Sequence, residues 1–584
     1  MSKIYGKSLS FLLFLAFFHI SSPAQTAYQL NIKARGEGAG ILKNYRYDRN
    51  PSDSLSAFQV VNDVLSALHN DGYLLARQTD FQSTDQSIQV LVEVGQRFEW
   101  LVLKAGNLDK GLMRRAGFRE KLFTGKAFRY TQVARLQDRL LTYAEQNGYP
   151  FAQTRIDSLH ISKNKIGGVL NFDPGPAILF DSLDVKSEMF IRSRFLGNFL
   201  DIKMGSPYNH RRIETLNQSL SSLPYLRLAE APQLTFQNSE ATLHLNFSKR
   251  RINQIDGIIG FLPNANNDKE LLITGQFDIE LYNPFGSGKM IGLHWRKQNV
   301  ESQTLSLEYE HPNLLGSPLG ARLEFDFLKQ DTLFTKRDLN LELSYRLGGS
   351  GSFTVFTRQQ GANLISTQHL KDVTQLPDVL NFDLASYGIG FYWNSLDDIF
   401  LPKRGMSFHL NASAGNKKLR PSSEIPSDLL VGVDLKNLQY NLSLSFEKHS
   451  AIGQNLVLLN RFGGGLLLND RLFKNDAVRL GGLNSIRGFN ENFFFATRYA
   501  TTTAEARLFF DELSYFSLFT DFGVVYEDFS ETPLTDYPIG LGVGISFSTE
   551  AGIFNFVYAL GRSDIAGSLS LNQSKIHFGF TSRF

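Results

Sequence analysis

Leu438-Gln439-Tyr440-Asn441-Leu442-Ser443-Leu444-Ser445-Phe446 places a large apolar side chain at every second position and a polar one between each pair. Side chains alternate across a strand, so the stretch reads as β-structure with one apolar and one polar face. Leu305, Leu307 and Tyr309 repeat the pattern, as do Leu339, Leu341, Leu343 and Tyr345. From about Ile252 onward this period replaces helical spacing. Strands of roughly 9–11 residues, apolar outside and polar inside with aromatic flanks, suit a barrel wall in lipid. A water-soluble sandwich shows the same alternation in any one strand; many consecutive strands behind an export signal favour the barrel. Sixteen strands are predicted, beginning near residues 253, 271, 289, 303, 320, 337, 351, 383, 404, 436, 454, 498, 514, 537, 551 and 574.

Residues 1–24 supply the export signal. Lys3 and Lys7 precede an apolar run, Phe11 to Ile20, and Ser22 and Ala24 stand before an expected cut ahead of Gln25. That run is too short to span a bilayer, and no later apolar stretch reaches the ~18–20 residues a transmembrane helix needs. A chain of this kind that enters a membrane does so as a closed sheet. The 584 residues include no cysteine, which excludes a disulfide scaffold, thiolate metal sites and an acylated N-terminal cysteine. A formal charge of +3 gives no reason to expect nucleic acid, and none of the 11 histidines is spaced like metal ligands on a helix face. Neither a cofactor nor an enzymatic activity is expected.

The first half carries a repeat. Tyr73, Tyr149 and Tyr225 recur at intervals of 76 residues. Each follows an amphipathic stripe: Val61, Val64, Leu65, Leu68; Val133, Leu136, Leu140, Ala144; Ile213, Leu216, Leu220, Leu223. Turn signals close the helices at Asn70-Asp71-Gly72, Gln146-Asn147-Gly148 and Leu223-Pro224, and alternating strands follow. Every unit reads strand, helix, helix, strand, strand, enough for one small α+β core.

These features converge on a resemblance. Ile486-Arg487-Gly488-Phe489, inside Arg479–Asn492 (RLGGLNSIRGFNEN), and Phe519, Asp521 and Gly523 at alternate positions of a later strand resemble the signature of the BamA/TamA superfamily of outer-membrane insertases. The repeats resemble the family's periplasmic POTRA modules, with Gly95-Gln96-Arg97-Phe98 and Gly175-Pro176-Ala177-Ile178 as links. The resemblance implies α+β POTRA repeats followed by a transmembrane antiparallel β-barrel of sixteen strands. Its domains would be a signal peptide (1–24), POTRA-like modules at 25–97, 98–177 and 178–250, and an outer-membrane barrel at 251–584. Modules and C-terminus on the periplasmic side of a Gram-negative outer membrane require an even strand number.

Further local matches are Asn283-Pro284-Phe285-Gly286-Ser287-Gly288-Lys289 in one turn and Asp397-Asp398 with Pro402-Lys403-Arg404-Gly405 in another. Gly-Ser-Gly-Lys is not a phosphate loop: no glycine stands five residues before Gly288, and Met290 replaces the needed hydroxyl residue. Asp397 and Asp398 lack the pocket and partner a catalytic pair needs. In the last strand Ile576, Phe578, Phe580 and terminal Phe584 resemble the C-terminal signal by which such barrels are themselves inserted.

The resemblance also assigns roles. Arg487 would reach the inner wall from the sixth outer loop, pair with Asp521 and lie against Phe519. Gly488 would allow close approach beside Phe489, Gly481 and Gly482 would bend the loop, and Gly523 completes the wall motif. Three modules on a sixteen-strand barrel look most like the TamA branch. The implied partners are unfolded outer-membrane or secreted client proteins, a TamB-like protein anchored in the inner membrane, and outer-membrane lipid. The implied function is insertion or export of clients through the seam between first and last strands. A two-partner-type secretion pore and a BamA-type core insertase are the alternatives.

Overall fold

The computed structural model describes residues 28–84, 87–250, 252–263, 271–297, 302–347, 350–398, 400–529, 532–549, 552–568, 570–571 and 574–581. The expected export signal at 1–24 and terminal Phe584 lie outside them. The chain divides into two compact units, one through Ile178 with Pro207–Asn209, the other Leu179–Ser206 with His210–Phe584.

The first unit holds two three-stranded sheets. Gln29–Arg35 runs parallel to Ser87–Glu93, which pairs antiparallel with Arg77–Ser83. Glu99–Ala105, Lys165–Asp173 and Gln153–Ser162 repeat that order. Helices Ser54–Asn70 and Tyr130–Glu145 bury Val61, Val64, Leu68 and Val133, Leu136, Leu140, Ala144 against these sheets, as the spacing of three and four dictates. Leu65 packs only at the margin, and Ala57 takes the place one turn earlier. Gly72 and Gly148 end the helices in the left-handed region at φ 99° and 97°. In each case the next segment docks on the glycine carbonyl: Phe98 N–H donates to Gly72 and Ile178 N–H to Gly148.

In the second unit Leu179–Ser187 pairs parallel with Glu240–Lys249, which also pairs with Leu226–Leu228 and Gln233–Gln237. The third amphipathic stripe is split between helices His210–Glu214 and Leu216–Ser221. Thr215 stands between them, and its hydroxyl donates to the Arg211 carbonyl, a back-bond that competes with helix continuation. Leu216, Leu220 and Leu223 are buried, while Ile213 is only half-buried.

Among the described residues the rest of this unit is an antiparallel sheet of seventeen strands, from Gln254–Pro263 to Lys575–Thr581, and a small ribbon of Val478–Leu480 with Phe494–Ala496. Sixteen of them begin within three residues of the expected starts. The seventeenth is Leu534–Asp536, which pairs with the far end of Tyr515–Glu527 before Ile539–Ser548 takes over that partner. Val525 opposite Asp536 and Phe522 opposite Ile539 belong to one register, and Gly523 N–H still donates to the Pro538 carbonyl. Proline has no N–H to return, so the ladder lapses at Tyr537-Pro538.

Along each strand one face carries exposed apolar residues, among them Leu339, Leu341, Leu343, Tyr345, Leu438, Tyr440 and Leu442. The other face carries ion pairs such as Arg358 Nε to Asp338 (2.8 Å) and Arg322 to Glu308 (2.8 Å). At one end, the third small sheet meets the turns. Asn283 Oδ1 accepts from Gly288 N–H at 2.8 Å, Arg192 N–H donates to the Gly286 carbonyl, and the Phe195 ring lies against Gly288. Asp397 accepts from the backbone of Lys403 and Arg404, while Asp398 pairs with Arg250 at 2.6 Å. The two aspartates therefore shape a turn.

At the opposite end the strands run to Leu364 and Leu419, past residues 359 and 415 where the sequence places the start of the outer connections. A small core explains the extension: Leu370, Leu380, Phe382, Leu384, Leu419, Ile425 and Phe473 pack strand ends and loops together. The loop between Leu456–Leu468 and Arg498–Phe509 touches widely separated strands. Arg479 Nη1 donates to Gln330 (2.6 Å), Lys336 Nζ to the Asn475 carbonyl (3.0 Å), and Asp476 pairs with Lys417. One loop can contact the fifth, sixth, ninth and later strands only if the sheet curls round it, polar face inward.

Candidate functional site

Arg487 lies within that loop, 9% exposed, and is held by three residues of the wall. Its Nε and Nη2 donate to Asp521 Oδ2 and Oδ1, both at 2.8 Å, a two-pronged fork. Its own backbone N–H donates to Asp521 Oδ2 at 3.0 Å. Nη1 donates to Glu505 at 2.6 Å, and the guanidinium carbon sits 3.4 Å from the Phe519 ring centroid. Planarity and permanent charge let a guanidinium fork and stack at once, which lysine cannot do. Asp521 also accepts from Thr503 Oγ1 (2.8 Å), and Glu505 from Arg507 Nε (2.7 Å). Two cations and two carboxylates alternate in one buried chain.

The wall under the loop is built by register. Thr503, Asp521, Gly540 and Gly561 form one cross-strand row; Glu505, Phe519, Gly542 and Ala559 form the next. The Arg487–Gly488 backbone lies along the first row. A Cβ on Gly540 would collide with the Arg487 carbonyl, and one on Gly561 would come 2.5 Å from the Gly488 carbonyl. Gly488 itself has φ 93°, and a Cβ there would meet Leu560 at 2.6 Å. Phe519 has room because Gly542 faces it. Gly481 and Gly482 stand at φ 109° and 96° where the loop folds back, Ser485 Oγ accepting from Gly481 N–H. Ile486 and Phe489 are buried with Leu480, Phe494 and Val525. A Cβ on Gly523 would lie 2.7 Å from Ile486.

The structure thus gathers Arg487, Gly488, Phe489, Phe519, Asp521 and Gly523 at one place, with Gly481 and Gly482 at the loop's bend. Ile576 and Phe578 lie on the exposed apolar face of the last strand, and the Phe580 ring packs at a tilt against Phe554, centroids 4.6 Å apart. Sequence reading missed Glu505, Thr503 and Arg507. It also missed the glycine wall, although Gly540, Gly542 and Gly544 at alternate positions were a legible signal. Lys417 is a second anchor it did not single out, fully buried and flanked by the Phe382 and Phe473 rings at 4.9 and 5.2 Å.

Residues 283–584, more than half of the chain, match the Omp85 superfamily domain. The chain belongs to the Omp85 superfamily. Among curated proteins none matches significantly. Among solved structures, CdiB from Escherichia coli aligns at a TM-score of 0.54 and 14% identity over 90% of this chain and 97% of that one. CdiB from Acinetobacter baumannii aligns at 0.54 and 13%, over 84% and 91%. BamA from Haemophilus ducreyi lacking POTRA domains 1–3 aligns at 0.40 and 14%, over 83% and 99%. This Omp85 chain is an outer-membrane β-barrel protein of a Gram-negative bacterium.

Proposed function

We propose that this Omp85 protein is a non-enzymatic assembly factor of the TamA type, inserting or exporting client proteins through the seam of a sixteen-stranded barrel. The three small sheets are read as POTRA modules in the periplasm, where unpaired strand edges accept extended clients by main-chain hydrogen bonds. Leu534–Asp536 and Ile539–Ser548 share one register and count as one strand, which supports the even number. The observation that carries the reading is the filled lumen. The loop is pinned at Gln330, Lys336, Lys417, Glu505 and Asp521, so the interior is a packed support and the wall is the part free to act.

The seam is the weakest place in that wall. Among the described residues Lys575–Thr581 spans 7 residues against 17 in Lys436–Ile452, which supports a short ladder at the seam. An opened edge would template a client strand. Energy would come from client folding or a TamB-like partner. A secretion pore for a dedicated exoprotein is the second reading and requires the loop to leave the lumen. Deleting residues 483–489 separates the two: a pore should gain conductance and still export, whereas a seam machine should lose client insertion.

A further inference from the structure

The loop clasp and the seam leave one charged surface of the barrel unexplained. Arg337 pairs opposite Gly361, Gly361 opposite Asp383, Asp383 opposite Lys418, and Lys418 opposite Lys436. The five form one row across five neighbouring strands. Each shares the parity of exposed apolar residues on its own strand: Leu339, Val355, Ile389, Met406 and Leu438. The row therefore faces outward from the barrel, at the end away from the third small sheet. Further in on the same face stand Tyr387 and Tyr440, 70% and 49% exposed, joined in one row through Ala414. Exterior tyrosines mark the level where hydrocarbon gives way to headgroups. Four residues further along tilted strands, roughly 10 Å, the charged row falls at headgroup depth.

Positive charge outnumbers negative along this row, although Arg337 and Asp383 both lie over Gly361. Asp383 is already held by Arg420, with Nε 2.8 Å from Oδ2 and Nη2 3.0 Å from Oδ1. Arg337, Lys418 and Lys436 are exposed, and among the described residues none of them has an ion-pair partner. Lys418 and Lys436 are directly opposite each other, and like charges so placed destabilise a bare sheet. An anion between them removes that penalty.

We propose that this row binds the phosphate-bearing headgroup of a lipid in the leaflet at the loop end of the barrel. The two lysines take one phosphate. Arg337, whose guanidinium leans over Gly361 toward the lysine pair, takes a second on the same headgroup. The acyl chains run down over the exposed apolar residues below. Only the identity of the leaflet rests on the periplasmic placement of the modules.

The test uses the full-length protein and native mass spectrometry of bound lipid. The probes are a bis-phosphorylated lipid A glycolipid, its dephosphorylated form, and inorganic phosphate as competitor. Arg337→Gln/Lys418→Gln/Lys436→Gln should retain the phosphorylated glycolipid about a hundredfold less well, each cation giving about fivefold. The dephosphorylated form should bind both proteins alike, and inorganic phosphate should not displace the lipid. Heat-modifiable migration checks that the variant barrel is folded. Equal retention by the variant, displacement by inorganic phosphate, or equal weakening by the opposite-end control Lys448→Gln would each overturn the proposal. The readout is binding alone, so its failure leaves the assembly reading untouched.

Discussion

Arg487 satisfies two buried carboxylates at once, so its replacement strands charge in a place that has lost its water. Arg487→Ala should weaken loop anchoring by about 3–5 kcal/mol, the usual cost of breaking a buried pair from one side. Limited proteolysis should then cut residues 469–497 faster while the barrel stays heat-modifiable; an unchanged cleavage rate would contradict the clasp. Arg487→Lys should fall between, because it keeps charge but loses the fork and the ring contact. Gly540→Val tests the wall: its side chain must displace the Arg487 backbone, at about 1–3 kcal/mol, and the same cleavage assay reads it. Arg487 and Asp521 were legible through the family signature that their motifs resemble, and strand parity put Asp521 on the inward face. Glu505 was not, since several acids share the inward face and sequence does not say which of them a folded-in loop reaches.

At the level of elements, alternation located the strands well because one face meets lipid and the other meets ions and loop. It misjudged where strands stop. The extensions to Leu364 and Leu419 are fixed by the loop core around Phe382 and Phe473, a tertiary effect invisible to a two-residue period. Pro538 was readable as a missing donor, but not as a break that leaves the register intact. The split at Thr215 was likewise hidden, because the apolar stripe continues past it. Lys417 and Asp476 hold the loop where it enters the lumen. Lys417→Met should leave Asp476 unpaired and raise passage of bulky antibiotics across the outer membrane in cells, while Lys417→Met/Asp476→Leu should recover much of the barrier. If the double variant leaks as much as the single, the pair is not what holds the loop.

For the whole molecule, the 76-residue recurrence and the change of period near residue 252 outlined the plan of the chain, since each marks a different way of burying apolar surface. What the clients are is not written in side chains, because edge-strand recognition uses the backbone. The account turns on the seam. The chain has no cysteine, so one can be placed in Gln254–Pro263 and one in Lys575–Thr581, and pairs that oxidise to a disulfide selected. Client insertion into proteoliposomes is then measured before and after reduction. The account predicts that oxidised protein is inactive and that reductant restores it; full activity with the seam locked would contradict it.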